Sequence, residues 1–282
     1  MIHLYKAELK RMLCSIPMLL GTIYILYMNY IPIMKWSYGY TVCTDSFLFD
    51  KIPYFCIMTA ILVSLLVGTE FDCRTINNKI SLGFSKQKIY LGELLATSSI
   101  TMFLYIIHCC SIAVFGSIRG YALFSFAPYH TFFEAIITLI ILETICCICT
   151  CVVMVFHRRL ICVFISVLLT FALLKSGSFI VSALTQPEYT DMFSEDHSMQ
   201  PNPMYPKGKE RFRDTAILTL SPFAQAEYAT YLLYETHDTV KPNSSLIFCN
   251  FPYRLDFILI DAIECACITS VGIWIFGKQE HK

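Results

Sequence analysis

Four ionisable residues, Glu143, Lys175, Asp261 and Glu264, stand inside long apolar stretches. A charge in the middle of a membrane helix costs about 3 kcal/mol or more, and by default it marks a site of function. Glu143, Lys175 and Glu264 fall at comparable depth, each nine to twelve residues from the same end of its stretch. An ion pair of Lys175 with Glu143 or Glu264 would lower the cost of all three. Asp261 and Glu264 are three residues apart and share a helix face, whereas Glu134 and Glu143 are nine apart and point to opposite faces. Two readings stay open: these residues line a polar path or its gate, or they lock three helices together.

The chain also carries 14 cysteines, among them Cys109, Cys110, Cys146, Cys147, Cys149, Cys151, Cys265 and Cys267 within apolar stretches. Metal binding needs thiolates, which hydrocarbon disfavours, and helical spacing scatters the 146–151 group around its axis. They read as small buried hydrophobes, with no metal and no cofactor. Cys43 and Cys249 lie outside the apolar stretches, where a disulfide is open to them. No Gly-x-Ser-x-Gly or His-Glu-x-x-His pattern occurs, so nothing marks a catalytic residue.

The elements that hold these residues follow from composition. Of 282 residues, 56% are apolar and 15% charged, with a mean hydropathy of +0.59. That is too little charge to wet a globular surface. Lys+Arg and Asp+Glu are both 21, and this balance gives no sign of nucleic acid. The expected fold is an all-α integral membrane protein.

A bilayer core about 30 Å thick takes roughly 20 apolar helical residues. Six stretches qualify: Ile16 to Met34, Ile52 to Gly68, Ile89 to Ile118, Thr131 to Phe156, Leu160 to Leu184 and Leu255 to Gly277. With the N-terminus inside, the inner segments hold eleven Lys and Arg and the short outer loops hold three (Lys35, Lys51 and Arg119). This bias places both termini in the cytoplasm.

Residues 1–15 read as an amphipathic interfacial helix, with Leu4, Leu9 and Leu13 at helical spacing and Lys6, Lys10 and Arg11 available to headgroups. Between spans two and three, Thr75 suits an N-cap, Ile76 and Ile80 share a face, and Gly83 suits a left-handed close. A short stiff cytoplasmic helix over about 75–83 is expected there. Residues 185–254 are too polar to enter the membrane and form the external segment between spans five and six. Ser221-Pro222 opens a helix there over about 222–236, expected over the mouth of the bundle as a lid or a decorated loop.

The connection after span two resembles that of ABC-2 type transporter permeases. Their pattern runs Glu-Phe-x-x-Gly-Thr-Ile-x-Asn-Lys, then Gly-x-Ser-Arg/Lys, then Ile-Tyr. The chain matches it at Glu70, Phe71, Thr75, Ile76, Asn78, Lys79, Gly83, Ser85, Lys86, Ile89 and Tyr90. It departs at Arg74, where the family usually has Gly, and at Asn77, where Arg is common. Glu8-Leu9-Lys10-Arg11 resembles the family's elbow helix at the membrane surface.

This resemblance implies a permease subunit of an exporter in a bacterial-type plasma membrane. It implies pairing with a second permease subunit, identical or sister, and with a cytoplasmic ABC ATPase. The ATPase-coupling residues would be Glu70, Phe71, Arg74, Thr75, Ile76, Asn78, Lys79, Ile80 and Gly83. The chain has no Gly-x-x-x-x-Gly-Lys-Ser/Thr phosphate loop, so ATP hydrolysis is expected in a partner chain. The alternative is an ion-coupled secondary transporter using Glu143, Lys175 and Glu264. Such proteins often show repeated halves or helices broken at mid-membrane. Here no repeat is visible, and Pro17, Pro32 and Pro53 lie at span ends. Nothing in the sequence selects the cargo.

Overall fold

The computed structural model describes residues 2–35, 43–124, 128–190, 199–230 and 255–279. Helix α1 (Ile2–Leu13) leads into α2 (Ile16–Tyr30), which continues as a π-helical turn over Ile31–Lys35. There follow α3 (Ser46–Asp50), α4 (Ile52–Asp72), α5 (Thr75–Ser81), α6 (Lys86–Arg119), α7 (Pro128–Phe156) and α8 (Arg159–Leu184). Strands β1 (Tyr189–Thr190) and β2 (Gln200–Pro201) pair antiparallel, and α9 (Lys209–Leu220), α10 (Pro222–Ala229) and α11 (Leu255–Lys278) complete the described chain.

Six of these helices are long and apolar enough to cross a membrane: residues 16–35, 52–72, 86–119, 131–156, 159–184 and 256–278. Their outward faces carry large apolar side chains, such as Leu19 and Ile23 of α2, Phe164 and Leu168 of α8, and Leu259 and Trp274 of α11. Water would not tolerate so extensive an apolar surface. The chain is a multi-pass, all-α membrane protein.

Helix α4 is the hub, packed by α7, α8, α10 and α2, while α6 is packed by α1, α2, α7 and α11. Local chemistry sets the helix ends. The Ser15 hydroxyl accepts from Met18 N at 3.3 Å and so caps α2, with Pro17 in the first turn. Gly120, at φ +80, closes α6. The start of α6 and the end of α11 meet, since Lys86 Nζ donates to the Gly277 and Gln279 carbonyls. Both described ends of the chain, together with α5, therefore lie at one end of the bundle, called here the terminal face.

At the far face a buried clamp joins α2, α3 and α6. Asn29 Nδ2 donates to His108 Nδ1 (3.1 Å) and to Ser111 Oγ (2.6 Å), and His108 Nε2 donates to the Leu48 carbonyl (3.0 Å). One ring nitrogen accepts and the other donates, which is the pattern of a neutral imidazole.

The segment after α8 differs from expectation. A helix, α9, occupies residues 209–220, ahead of the one helix expected in the segment. The helix opened by Ser221 ends at Ala229, and residues 231–236 lie outside the described residues. Nor does α10 lie over a mouth. It is buried against α4, α7 and α8, and Gly177 of α8 allows the close approach: a Cβ there would stand 2.7 Å from the Ala224 Cα.

Candidate functional site

The terminal face holds a knot of five charges drawn from four helices, all but Arg11 buried. α1 supplies Glu8 and Arg11 from consecutive turns, and α4 supplies Glu70 from its last turn. α5 supplies Lys79, and α6 supplies Glu93 from its second turn. The Lys79 ammonium stands 2.7 Å from Glu8 Oε1, 2.5 Å from Glu70 Oε2 and 2.7 Å from Glu93 Oε1. Arg11 spans the same acids, with Nε 2.9 Å from Glu70 Oε1 and Nη2 2.9 Å from Glu8 Oε2 and 3.7 Å from Glu93 Oε2. The three acids are 5%, 2% and 1% exposed.

Buried charges survive only when paired and hydrogen-bonded, and here each carboxylate meets both cations. Burial pulls the Lys79 pKa down, but Glu93 and Glu70 outweigh it, so the ammonium is held well above its ordinary range. For Arg11 burial likewise opposes the charge, and Glu70, Glu93 and Glu8 again prevail. Oxygens of Glu8, Glu70 and Glu93 lie within 4.8 Å of one another, a spacing that suits a metal ion. The Lys79 ammonium stands where such an ion would sit, so the donor set does not fit one.

The knot fixes α5 to the spans. Thr75 is not an N-cap: its hydroxyl donates back to the Glu70 carbonyl (3.0 Å) and to Glu70 Oε2 (2.5 Å). The N-cap position belongs to Arg74, in the left-handed region at φ +55, ψ +22. That backbone is easy for glycine and costly for other residues, so Arg74 stands where a glycine would be unstrained. Gly83, at φ +86, follows the other end of the helix. Ile76 is buried, and the Phe71 ring lies 4.7 Å from that of His157, joining α4 to the turn after α7.

The expected coupling residues therefore divide. Glu70, Ile76 and Lys79 turn inward; Phe71, Thr75 and Ile80 are half-buried; Arg74, Asn78 and Gly83 face outward. Beside the outward group stands Leu82, 78% exposed, with Ser81. Sequence reasoning missed Glu8 and Glu93 as partners of this helix. A signal was present for Glu8, which lies four residues from both Leu4 and Met12 and so shares the buried stripe of α1.

Lys175 is not brought to the acids of the expected path. Lys175 is exposed on α8, its Nζ 5.9 Å from the centre of the Phe171 ring. Among the described residues no ion pair joins it to Glu143 or Glu264, so the expected pair does not form. Glu143 and Glu264 are half-buried and Asp261 is fully buried. α7 and α11 are tied instead by Cys265 Sγ, which donates to Thr144 Oγ1 at 3.3 Å. Cys43 lies in a backbone bridge with Ala122; Cys249, and with it the expected pairing, lies outside the described residues. No protein-family model matches the sequence, and no curated protein matches it significantly.

Proposed function

We propose that the chain is the membrane-spanning subunit of an ABC-2 type exporter, gripped at α5 by a separate cytoplasmic ATPase and working beside a second permease subunit. One observation carries this reading. A two-turn helix lies at the end of the bundle that bears both described ends of the chain, and its one buried cation is held by acids from three other helices. A connector would not need such anchoring, whereas a handle would.

The mechanism follows from stiffness. Arg74, Asn78, Ser81 and Leu82 offer a mixed polar and apolar surface to a docking protein. A push on that surface reaches α4 through Glu70, α6 through Glu93 and α1 through Glu8. Ion pairs in a low-dielectric site resist separation far more than the same pairs in water. Movement of α5 thus becomes movement of the spans, and the energy comes from ATP hydrolysed on the partner. The positive bias of the inner loops supports a cytoplasmic position for α5, in a bacterial-type plasma membrane.

Reconstitution tests the reading. Purified from its own membranes, the full chain is expected to bring a soluble ATPase with it and to transport in proteoliposomes only with that ATPase and ATP. Transport by the chain alone, driven by an ion gradient, would contradict it in favour of a secondary transporter.

A further inference from the structure

Lys175 stands nine residues from the far-face end of α8 and sixteen from its start, roughly 14 Å and 24 Å along the helix. α8 is longer than a bilayer core about 30 Å thick, so this turn lies in hydrocarbon. The side chain is exposed, yet it does not reach for the nearer membrane surface as lysines close to a helix end do. It lies back over the preceding turn, with Nζ 5.9 Å from the centre of the Phe171 ring. That contact recovers only part of the cost of a charge in lipid. Glu227 of α10 is near enough to feel the charge, but among the described residues no carboxylate comes within ion-pair distance. A cation in that setting calls for an anion.

A groove leads away from it. Counted back by helical turns, Phe171, Leu168, Phe164 and Leu160 share the stripe of α8 that ends in Lys175. With Ile61 of α4 they line an apolar groove of about 530 Å³, a volume that suits a small ligand. From Leu160 to Phe171 it runs roughly 16 Å, about half the hydrocarbon core and so the depth of one leaflet. Lys175 stands just beyond its Phe171 end. A trough for one chain, with one cation at its head, matches an amphiphile with one negative charge. We propose that this groove binds an anionic single-chain amphiphile of the fatty-acid class, its carboxylate on the Lys175 ammonium and its chain lying toward Leu160.

Charge and depth both favour a carboxylate over a phospholipid headgroup. A single ammonium balances a single negative charge. The nitrogen also lies below headgroup level, where a bulky hydrated phosphodiester would have to shed more water than a carboxylate. A second subunit seated on this face, bringing an acid of its own, is the competing cover, and the experiment separates the two. This inference does not rest on the transporter reading.

Photolabelling of the full chain in nanodiscs of phosphatidylcholine, at mildly alkaline pH, tests it. The probe is palmitate with a diazirine at the tail end. Label is expected on α8 around Leu160 and Phe164, displaced by plain palmitate but not by its methyl ester or by phosphatidylglycerol. Lys175→Met should lower the labelling by about tenfold or more, and Lys175→Arg, which keeps the charge, should retain it. Phe164→Trp, which fills the groove and leaves Lys175 in place, should lower it as well. Equal labelling of wild type and folded Lys175→Met overturns the proposal. So does displacement by the methyl ester or by phosphatidylglycerol as effective as that by palmitate, a comparison made on the wild type alone. Absence of label from α8 in the wild type, the result expected if a second subunit covers this face, overturns it too.

Discussion

Glu8 of the first helix and Lys79 of the short helix α5 meet at 2.7 Å, with both side chains nearly closed to solvent. This contact binds α1 to the proposed handle, and Glu70 and Glu93 extend it to two spans. Removing one partner of a buried ion network leaves the others uncompensated, typically at about 3–5 kcal/mol. Lys79→Met is therefore expected to cost about that much in reversible unfolding of the full chain in detergent. Glu8→Gln should cost less, because Arg11 and Lys79 keep their other acids. A Lys79→Met protein as stable as wild type would contradict the knot.

The same network sets an alkaline limit. A cation whose folded pKa is raised contributes stability that is complete below its unfolded pKa and is lost only as pH rises through the folded value. Burial lowers the Lys79 pKa, but Glu93 and Glu70 more than reverse it, lifting the folded value above the ordinary 10.5. The contribution of Lys79 should then not fall between neutrality and about pH 10. The stability difference between wild type and Lys79→Met, measured across that range, checks this. A difference that shrinks well below pH 10 would count against the assignment.

Gly177 and Ala224 define how α10 seats. A Cβ at position 177 would lie 2.7 Å from the Ala224 Cα and 3.2 Å from the Phe223 carbonyl oxygen. Both are backbone atoms that cannot rotate aside. Gly177→Ala should cost about 1–3 kcal/mol by overpacking and lift α10 from α8, read as faster hydrogen exchange over residues 222–229. Unchanged exchange would place the helix elsewhere.

Arg74 carries backbone strain that glycine would release. A left-handed residue with a side chain costs about 1–2 kcal/mol, partly offset by the greater freedom of glycine in the unfolded chain. Arg74→Gly is expected to raise stability by up to about 1 kcal/mol, whereas Arg74→Val, β-branched at φ +55, should lower it. Equal melting temperatures for the two variants would remove the strain from the account.

The spans were legible because each is a long apolar run, and hydrocarbon leaves the backbone no form other than a helix. The turn chemistry around α5 was legible through Gly83, although Thr75 bonds back to Glu70 instead of capping. Hydrophobic pattern hid the rest. α9 buries Arg211, Asp214 and Leu218 on one face, so its inward stripe contains charges and reads as polar loop. Glu93 sits just before the charge-free part of α6 and looks like a flanking residue until α5 folds over it. Lys175 reads as buried from its neighbours in sequence, yet it stands on the outward face of α8. Sequence gives its depth but not its direction.

If α5 is a handle held by an ATP-driven partner, then Leu82, which ends it and is 78% exposed, meets that partner. A photo-reactive amino acid at Leu82 in the full chain, illuminated in native membranes with and without ATP, tests this most directly. The expected product is a cross-link to a cytoplasmic protein that carries a Gly-x-x-x-x-Gly-Lys-Ser/Thr loop and hydrolyses ATP, with a yield that changes with nucleotide. Cross-links to lipid alone, or labelling of position 82 from outside the cell, would contradict it.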